Sequence, residues 1–160
     1  MGARAEQLAK KFDESCAEFN KVVEGLSDAD WKKVTSAEKW PVGVVAHHAA
    51  EAHAGIGGLV HLVAKAQPLP GLTMEMIDAG NAKHAKEQAN VTKAETLALL
   101  KSNGAKTSAL VRGLSDAELD RSASVLAGMP AVTAAQAIEG ILISHVREHL
   151  GSIRATVGAK

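Results

Sequence analysis

The sequence predicts an all-α fold, a four-helix bundle with one short accessory helix, on three observations. Apolar residues recur at intervals of three and four over long stretches. No segment sustains the period-two alternation of β-branched residues between turns that a strand requires. Helix-start signatures stand ahead of the periodic stretches, at Thr92-Lys93-Ala94-Glu95, Ser115-Asp116-Ala117-Glu118 and Thr133-Ala134-Ala135-Gln136.

The elements follow in order. Leu8, Phe12, Phe19 and Val23 form an apolar stripe that predicts a first helix over about 5–25, with Gly25 as its stop. A connection through Ser27-Asp28-Ala29-Asp30-Trp31 leads to Pro41, which suits the first turn of a long helix running past His47, His48 and His53 toward Ala66; Pro68 and Pro70 close it. A stretch over about 73–89 carries Asn81 and His84. The Thr92 signature opens a helix toward Arg112, the Ser115 signature opens the accessory piece over about 116–123, and the Thr133 signature opens the final helix. At 160 residues the chain fits a single domain, 1–160, with one substantial core.

Composition removes several function classes. Lys plus Arg and Asp plus Glu both number 18, so no net charge draws the chain to nucleic acid or to an anionic membrane. Two Phe, two Trp and no Tyr leave almost nothing from which to build a base-stacking platform. The lone Cys16, between Phe12 and Phe19 on an inward line, reads as a buried structural thiol. With no signal peptide and no spanning segment visible, the expected location is the cytoplasm.

The informative feature is His145 and His149, one helical turn apart, so that both imidazoles leave the same side of the final helix. Ile138, Ile141, His145, His149 and Ile153 recur at helical intervals, which puts the pair on the inward line. An inward imidazole needs partners for its nitrogens. A divalent ion meets that need, and so does a pair of core or cavity-edge histidines bonded to backbone carbonyls or to each other. An ion needs a third donor from a facing helix. His48 continues the line Val44, Ala52, Ile56, Leu59 and Val63, whereas His47 falls with Gly43, Glu51 and Ala54 on a smaller and more polar face. His48 is therefore the chosen donor. His47 and Glu51 read as a solvated helix-face pair, and His53, His61 and His84 as surface or packing residues, with Asn81 and His84 as candidate pocket positions.

Trp40, the Val-rich turn after it, His48 eight positions beyond the Trp, and His145-x-x-x-His149 followed by Leu150-Gly151-Ser152-Ile153 together resemble the DinB-like superfamily across essentially the whole chain. That superfamily also takes in bacillithiol-dependent transferases and the metal-binding domain of mycothiol-dependent maleylpyruvate isomerase. The resemblance implies a four-helix bundle, often a homodimer, holding a divalent ion such as Zn or Ni through His48, His145 and His149. The maleylpyruvate isomerase branch has a glutamate where this chain has His145, which places the chain with the three-histidine branch. Many relatives carry a polar or acidic residue shortly before the first histidine, where this chain has Pro41 and Val44.

Three neutral imidazoles leave an ion its full charge and an open position. Such an ion lowers the pKa of a bound water or holds a low-molecular-weight thiol as thiolate for attack on an electrophile. The resemblance favours the thiol, and so a metal-dependent thiol S-transferase with a small-molecule substrate. A metal-dependent hydrolase, or a non-catalytic metal- or small-molecule-binding stress-response bundle, is the alternative. Glu148 lies about 100° off the histidine line, either supporting the ligands or solvated. Arg147 and Arg154 are available for a thiol's carboxylate.

Overall fold

The computed structural model describes residues 2–158. Its first helix, α1 (Ala3–Glu24), buries Leu8, Phe12, Phe19 and Val23 and stops at Gly25, whose N–H closes back on the carbonyls of Lys21 and Val22. The predicted connection contains a five-residue helix, α2 (Asp28–Lys32). It forms because Ser27 and Asp30 complete a reciprocal capping box, a signature left unread between two longer elements. α3 (Val42–Ala64) starts one residue after Pro41, which is its N-cap and not part of its first turn. α4 (Met74–Glu87) is capped by Thr73, α5 (Lys93–Arg112) by Thr92 and α6 (Asp116–Asp120) by Ser115.

Two residue pairs, β1 (Ser122–Ala123) and β2 (Val132–Thr133), form a short antiparallel ladder that the sequence reading did not anticipate. At two residues per strand there is no periodicity to read. Thr133 then caps the final helix, which runs as α7 (Ala134–Ala137), a π-helical stretch Ile138–Ile143, and α8 (Ser144–Val157).

The bundle consists of α1, α3, α5 and the α7–α8 helix. α5 packs on both α1 and α3, and α8 also packs on both, so α1 and α3, consecutive among the long helices, stand diagonally across the core. Phe12, Phe19, Leu100, Ile138, Leu142 and Ile153 fill the centre and are fully buried; each contributes about 1.5–3 kcal/mol of transfer free energy. Two donors on α5 bind α3 carbonyls: buried Thr107 Oγ1 donates to His53 O at 2.8 Å and half-buried Asn103 Nδ2 to Ala50 O at 2.9 Å. Arg112 ties α5 to α1 through Glu6 and Asp13 at 2.9 and 2.8 Å. α4 lies outside the bundle against α3.

The π-helical stretch corrects the expected inward line. Six residues wound with i→i+5 bonds shift the register, so the deepest row of α8 is Leu142, Val146, Leu150 and Ile153, while Ile141, His145 and His149 sit half-buried on its flank. His145 therefore faces a cavity edge and His149 lies half-buried beside it, neither in the core row.

No helix among the described residues is long and apolar enough to cross a membrane.

Candidate metal centre

The structure brings His48, His145 and His149 together. His145 Nε2 lies 3.1 Å from His48 Nε2 and 3.1 Å from His149 Nε2, and all three donor atoms fall within 4.8 Å of one another. Each side chain is placed by its helix, His48 by the second turn of α3 and the other two by successive turns of α8. Trp40 packs edge-on against the His48 ring at a centroid distance of 5.3 Å and restrains its orientation.

Behind His149 stands Glu38, a residue to which the sequence reading assigned no role. The segment before α3 folds back on itself, with Val34 bridged to Pro41, Thr35 N–H bonded to Trp40 O, and Lys39 at φ 65°. That left-handed residue is uncommon for a side chain other than glycine, and it turns Glu38 inward. Glu38 Oε1 accepts from His149 Nδ1 at 3.1 Å and Oε2 accepts from Ser152 Oγ at 2.6 Å. Burial by itself would raise the Glu38 carboxyl, but the bonds from Ser152, Thr35 and His149 outweigh it and hold the group below its ordinary value. Glu38 is thus an anion at neutral pH, and His149 carries its proton on Nδ1. A neutral His149 then has only a lone pair at Nε2, the tautomer that a metal ligand needs.

This fixed tautomer tests whether the cluster fits an ion. If His145 Nε2 is unprotonated, its 3.1 Å contact with His149 sets lone pair against lone pair; if protonated, its one hydrogen satisfies one neighbour and leaves the other short. His145 Nδ1 is buried with no partner among the described residues, so it offers no compensation. A tetrahedral ion with Zn–N bonds of about 2.0–2.1 Å would set its nitrogens about 3.3 Å apart, close to the spacing present. The residues fit a divalent ion better than they fit a hydrogen-bonded triad. Burial, with smaller contributions from neighbouring histidines, pushes His48 down to about 4 and His145 down to about 3, so both are neutral donors at pH 7.

His47 departs from expectation. It is buried rather than solvated, because α4 covers it: His47 Nδ1 lies 2.8 Å from His84 Nε2, the two rings stack at 5.0 Å, and Glu51 stands 3.7 Å from His84 and 4.0 Å from His47. His84 is likewise buried, correcting its reading as a surface position, and with Asn81 it lines a cavity of about 930 Å³ that His48 and His145 also line. No spacing within one element could have paired His47 with His84, since the partner comes from a different helix.

The remaining candidates disperse. Glu148 is exposed and takes a 3.4 Å contact from Ser144, away from the cluster. Arg154 is paired with Glu18 at 2.7 Å, Arg147 is exposed, and neither lines the cavity. His53 is buried edge-on against Phe12, with its Nε2 3.7 Å from Cys16 Sγ. Cys16 is buried as expected, and its thiol is pushed up to about 12, chiefly by burial.

Comparisons with known proteins agree with this architecture. YfiT from Bacillus subtilis, described as a probable metal-dependent hydrolase with an unusual four-helix bundle topology, superposes with a TM-score of 0.76 at 18% identity, over 100% of this chain and 91% of that one. A histidine-to-alanine mutant of mycothiol-dependent maleylpyruvate isomerase superposes with a TM-score of 0.75 at 12% identity, over 96% of this chain and 63% of that one. At these identities the likeness is one of fold. No curated protein sequence matches. The sequence model of the DinB superfamily matches residues 11–153, which take in all three histidines and Glu38, and the chain belongs to that superfamily.

Proposed function

We propose that this chain is a divalent-metal-dependent enzyme, a single domain over residues 1–160, that activates a small nucleophile beside His48, His145 and His149. The observation that carries this reading is the convergence of three imidazoles, with His145 Nε2 3.1 Å from both His48 Nε2 and His149 Nε2 and one tautomer fixed by Glu38. When bound, a divalent ion such as Zn or Ni would supply positive charge that favours the deprotonated form of a thiol or water and polarises a carbonyl. His48, His145 and His149 offer the lone pairs. Glu38 keeps the His149 proton on Nδ1 and orients the ring, and Trp40 holds the His48 ring. His48 and His145 share one face of the cavity, whose other walls are mainly apolar.

The nucleophile comes from outside the chain. Cys16 is buried, held protonated, and adjacent to His53 rather than to the histidine cluster. The first reading is therefore transfer of a low-molecular-weight thiol to an electrophile. A hydrolase is the second reading, supported by the absence of Lys and Arg from the cavity lining among the described residues, which leaves no side-chain cation there to grip a thiol's carboxylate. A metal-binding bundle with no turnover is the third.

Cobalt substitution separates them. Addition of a low-molecular-weight thiol to the cobalt protein is expected to produce a near-ultraviolet sulfur-to-cobalt charge-transfer band, absent in His149→Ala. A cobalt spectrum unmoved by thiols but accompanied by ester or amide hydrolysis would replace the first reading with the second.

A further inference from the structure

The cavity beside the histidine cluster has a character that the metal centre does not require. Its lining divides into a polar end and an apolar remainder. His48 lies 5.7 Å from His84 and 5.0 Å from His145 between ring centroids, Glu51 stands beside His84, and Asn81 is one turn before His84 on α4. The other walls are aliphatic, including Ile56 and Leu59 from α3, Ile77 from α4 and Ile141 from the π-helical stretch. Its one formal charge is Glu51, half-exposed and negative.

Gly55 on α3 and Gly80 on α4 both stand at the exposed margin of the cavity, and a Cβ at either would meet nothing within 4 Å, so a larger side chain can be placed there without a clash. The loops over the far end are ordered by specific bonds. Ala127 N–H donates to Leu72 O at 2.7 Å, and Ser124 Oγ lies within hydrogen-bond reach of the carbonyls of Leu126 and Met129. At the polar end, His84 is more than nine-tenths buried and its Nδ1 has no partner among the described residues. At about 930 Å³ the space accepts a whole ligand of drug-like size.

We propose that this cavity binds an uncharged amphiphile, with a long apolar body against the aliphatic walls and a Lewis-basic head, a carbonyl, hydroxyl or thiol, at the histidine end. The role of the head rests on the metal site proposed above; the apolar, uncharged body does not. On metal-free protein a polyanionic cosubstrate is disfavoured, because its charge would be set against aliphatic walls with no cationic partner among the described residues and with Glu51 as the nearest formal charge.

Displacement of a neutral naphthylamine fluorophore tests this on metal-free and zinc-loaded protein, with butanol, hexanol, octanol, decanol and decanoate as competitors. Affinity is expected to rise by up to about fourfold per added methylene. On metal-free protein decanoate should bind about tenfold or more weaker than decanol, as a carboxylate set near Glu51 with no cationic partner among the described lining residues requires. Gly55→Trp and Gly80→Trp, each filling the space from a different helix, should weaken decanol by about tenfold or more through lost burial while leaving helicity and zinc stoichiometry unchanged. A flat chain-length series, decanoate binding as well as decanol to metal-free protein, or both folded Trp variants binding decanol normally would overturn the proposal. Protein that takes no zinc yet keeps the chain-length series would sink the metal reading alone. Protein that takes zinc with a flat series would sink the cavity reading alone.

Discussion

His47 and His48 are neighbours on α3, yet they belong to two different clusters. One helical step of about 100° sends His48 toward α8 and His47 toward α4. On the α8 side His145 Nε2 stands 3.1 Å from the Nε2 atoms of both His48 and His149, and a carboxylate behind His149 fixes which nitrogen keeps its proton. On the α4 side two nitrogens lie 2.8 Å apart, a normal hydrogen bond, and the one carboxylate is half-exposed and 3.7–4.0 Å away. Both clusters contain ligand-type residues. The difference is in the lone pairs: the first group has three aimed at one point, whereas the second has used a pair of its nitrogens on each other.

The largest effect expected from that contrast is on metal affinity. His145→Ala removes the donor that stands between the other two and should weaken zinc binding by well over the 10–100-fold typical of losing an orienting partner, as measured by competition with a chromophoric chelator. His84→Ala, in the other cluster, should leave zinc affinity unchanged.

Next comes acid sensitivity, which sharpens the comparison because it concerns a histidine belonging to neither cluster. Burial pushes His53 from 6.5 down to about 4. The unfolded chain therefore binds more protons than the folded one between those values, and stability is lost as pH falls from about 6.5 toward 4, by on the order of 3 kcal/mol. Urea denaturation of metal-free His53→Gln at a series of pH values should show a correspondingly shallower loss across that window; an unchanged slope would remove His53 from the account.

Glu38→Gln keeps the shape and removes the charge that fixes the His149 tautomer. It should weaken zinc binding by about 10–100-fold with the fold intact by circular dichroism. The smallest effect is expected for His84→Gln, where one hydrogen bond is altered: about 1 kcal/mol in stability by chemical denaturation and no change in zinc stoichiometry.

The helices were legible in the sequence because their signals are local. The Thr92, Ser115 and Thr133 caps stand where the sequence puts them, and the stripe of α1 is the buried face. The grouping of His48, His145 and His149 was foreshadowed by the i,i+4 spacing of the pair and by the place of His48 on the apolar line of its helix, and the resemblance pointed to the same three. What escaped was set by tertiary context. Glu38 reaches His149 from an irregular turn with no periodicity, ten residues before His48, and the nearer positions Pro41 and Val44 gave no hint of it. The burial of His47 depends on α4 docking over it, and Gly43 beneath it is required by the Trp31 ring, which a Cβ would approach to 2.4 Å. The π-helical stretch moved His145 and His149 from the expected core row to a half-buried flank because an assumed 3.6-residue repeat cannot anticipate a change of winding.

The most direct test of the central claim is metal content by inductively coupled plasma mass spectrometry on untagged protein, for the wild type beside His47→Ala, His48→Ala and His149→Ala. The account predicts about one equivalent of Zn, Ni or a similar divalent ion in wild type and His47→Ala, and its loss in His48→Ala and His149→Ala. Wild-type protein that carries no metal and takes up neither added Zn nor Ni, or metal that follows His47 instead of His48, would contradict it.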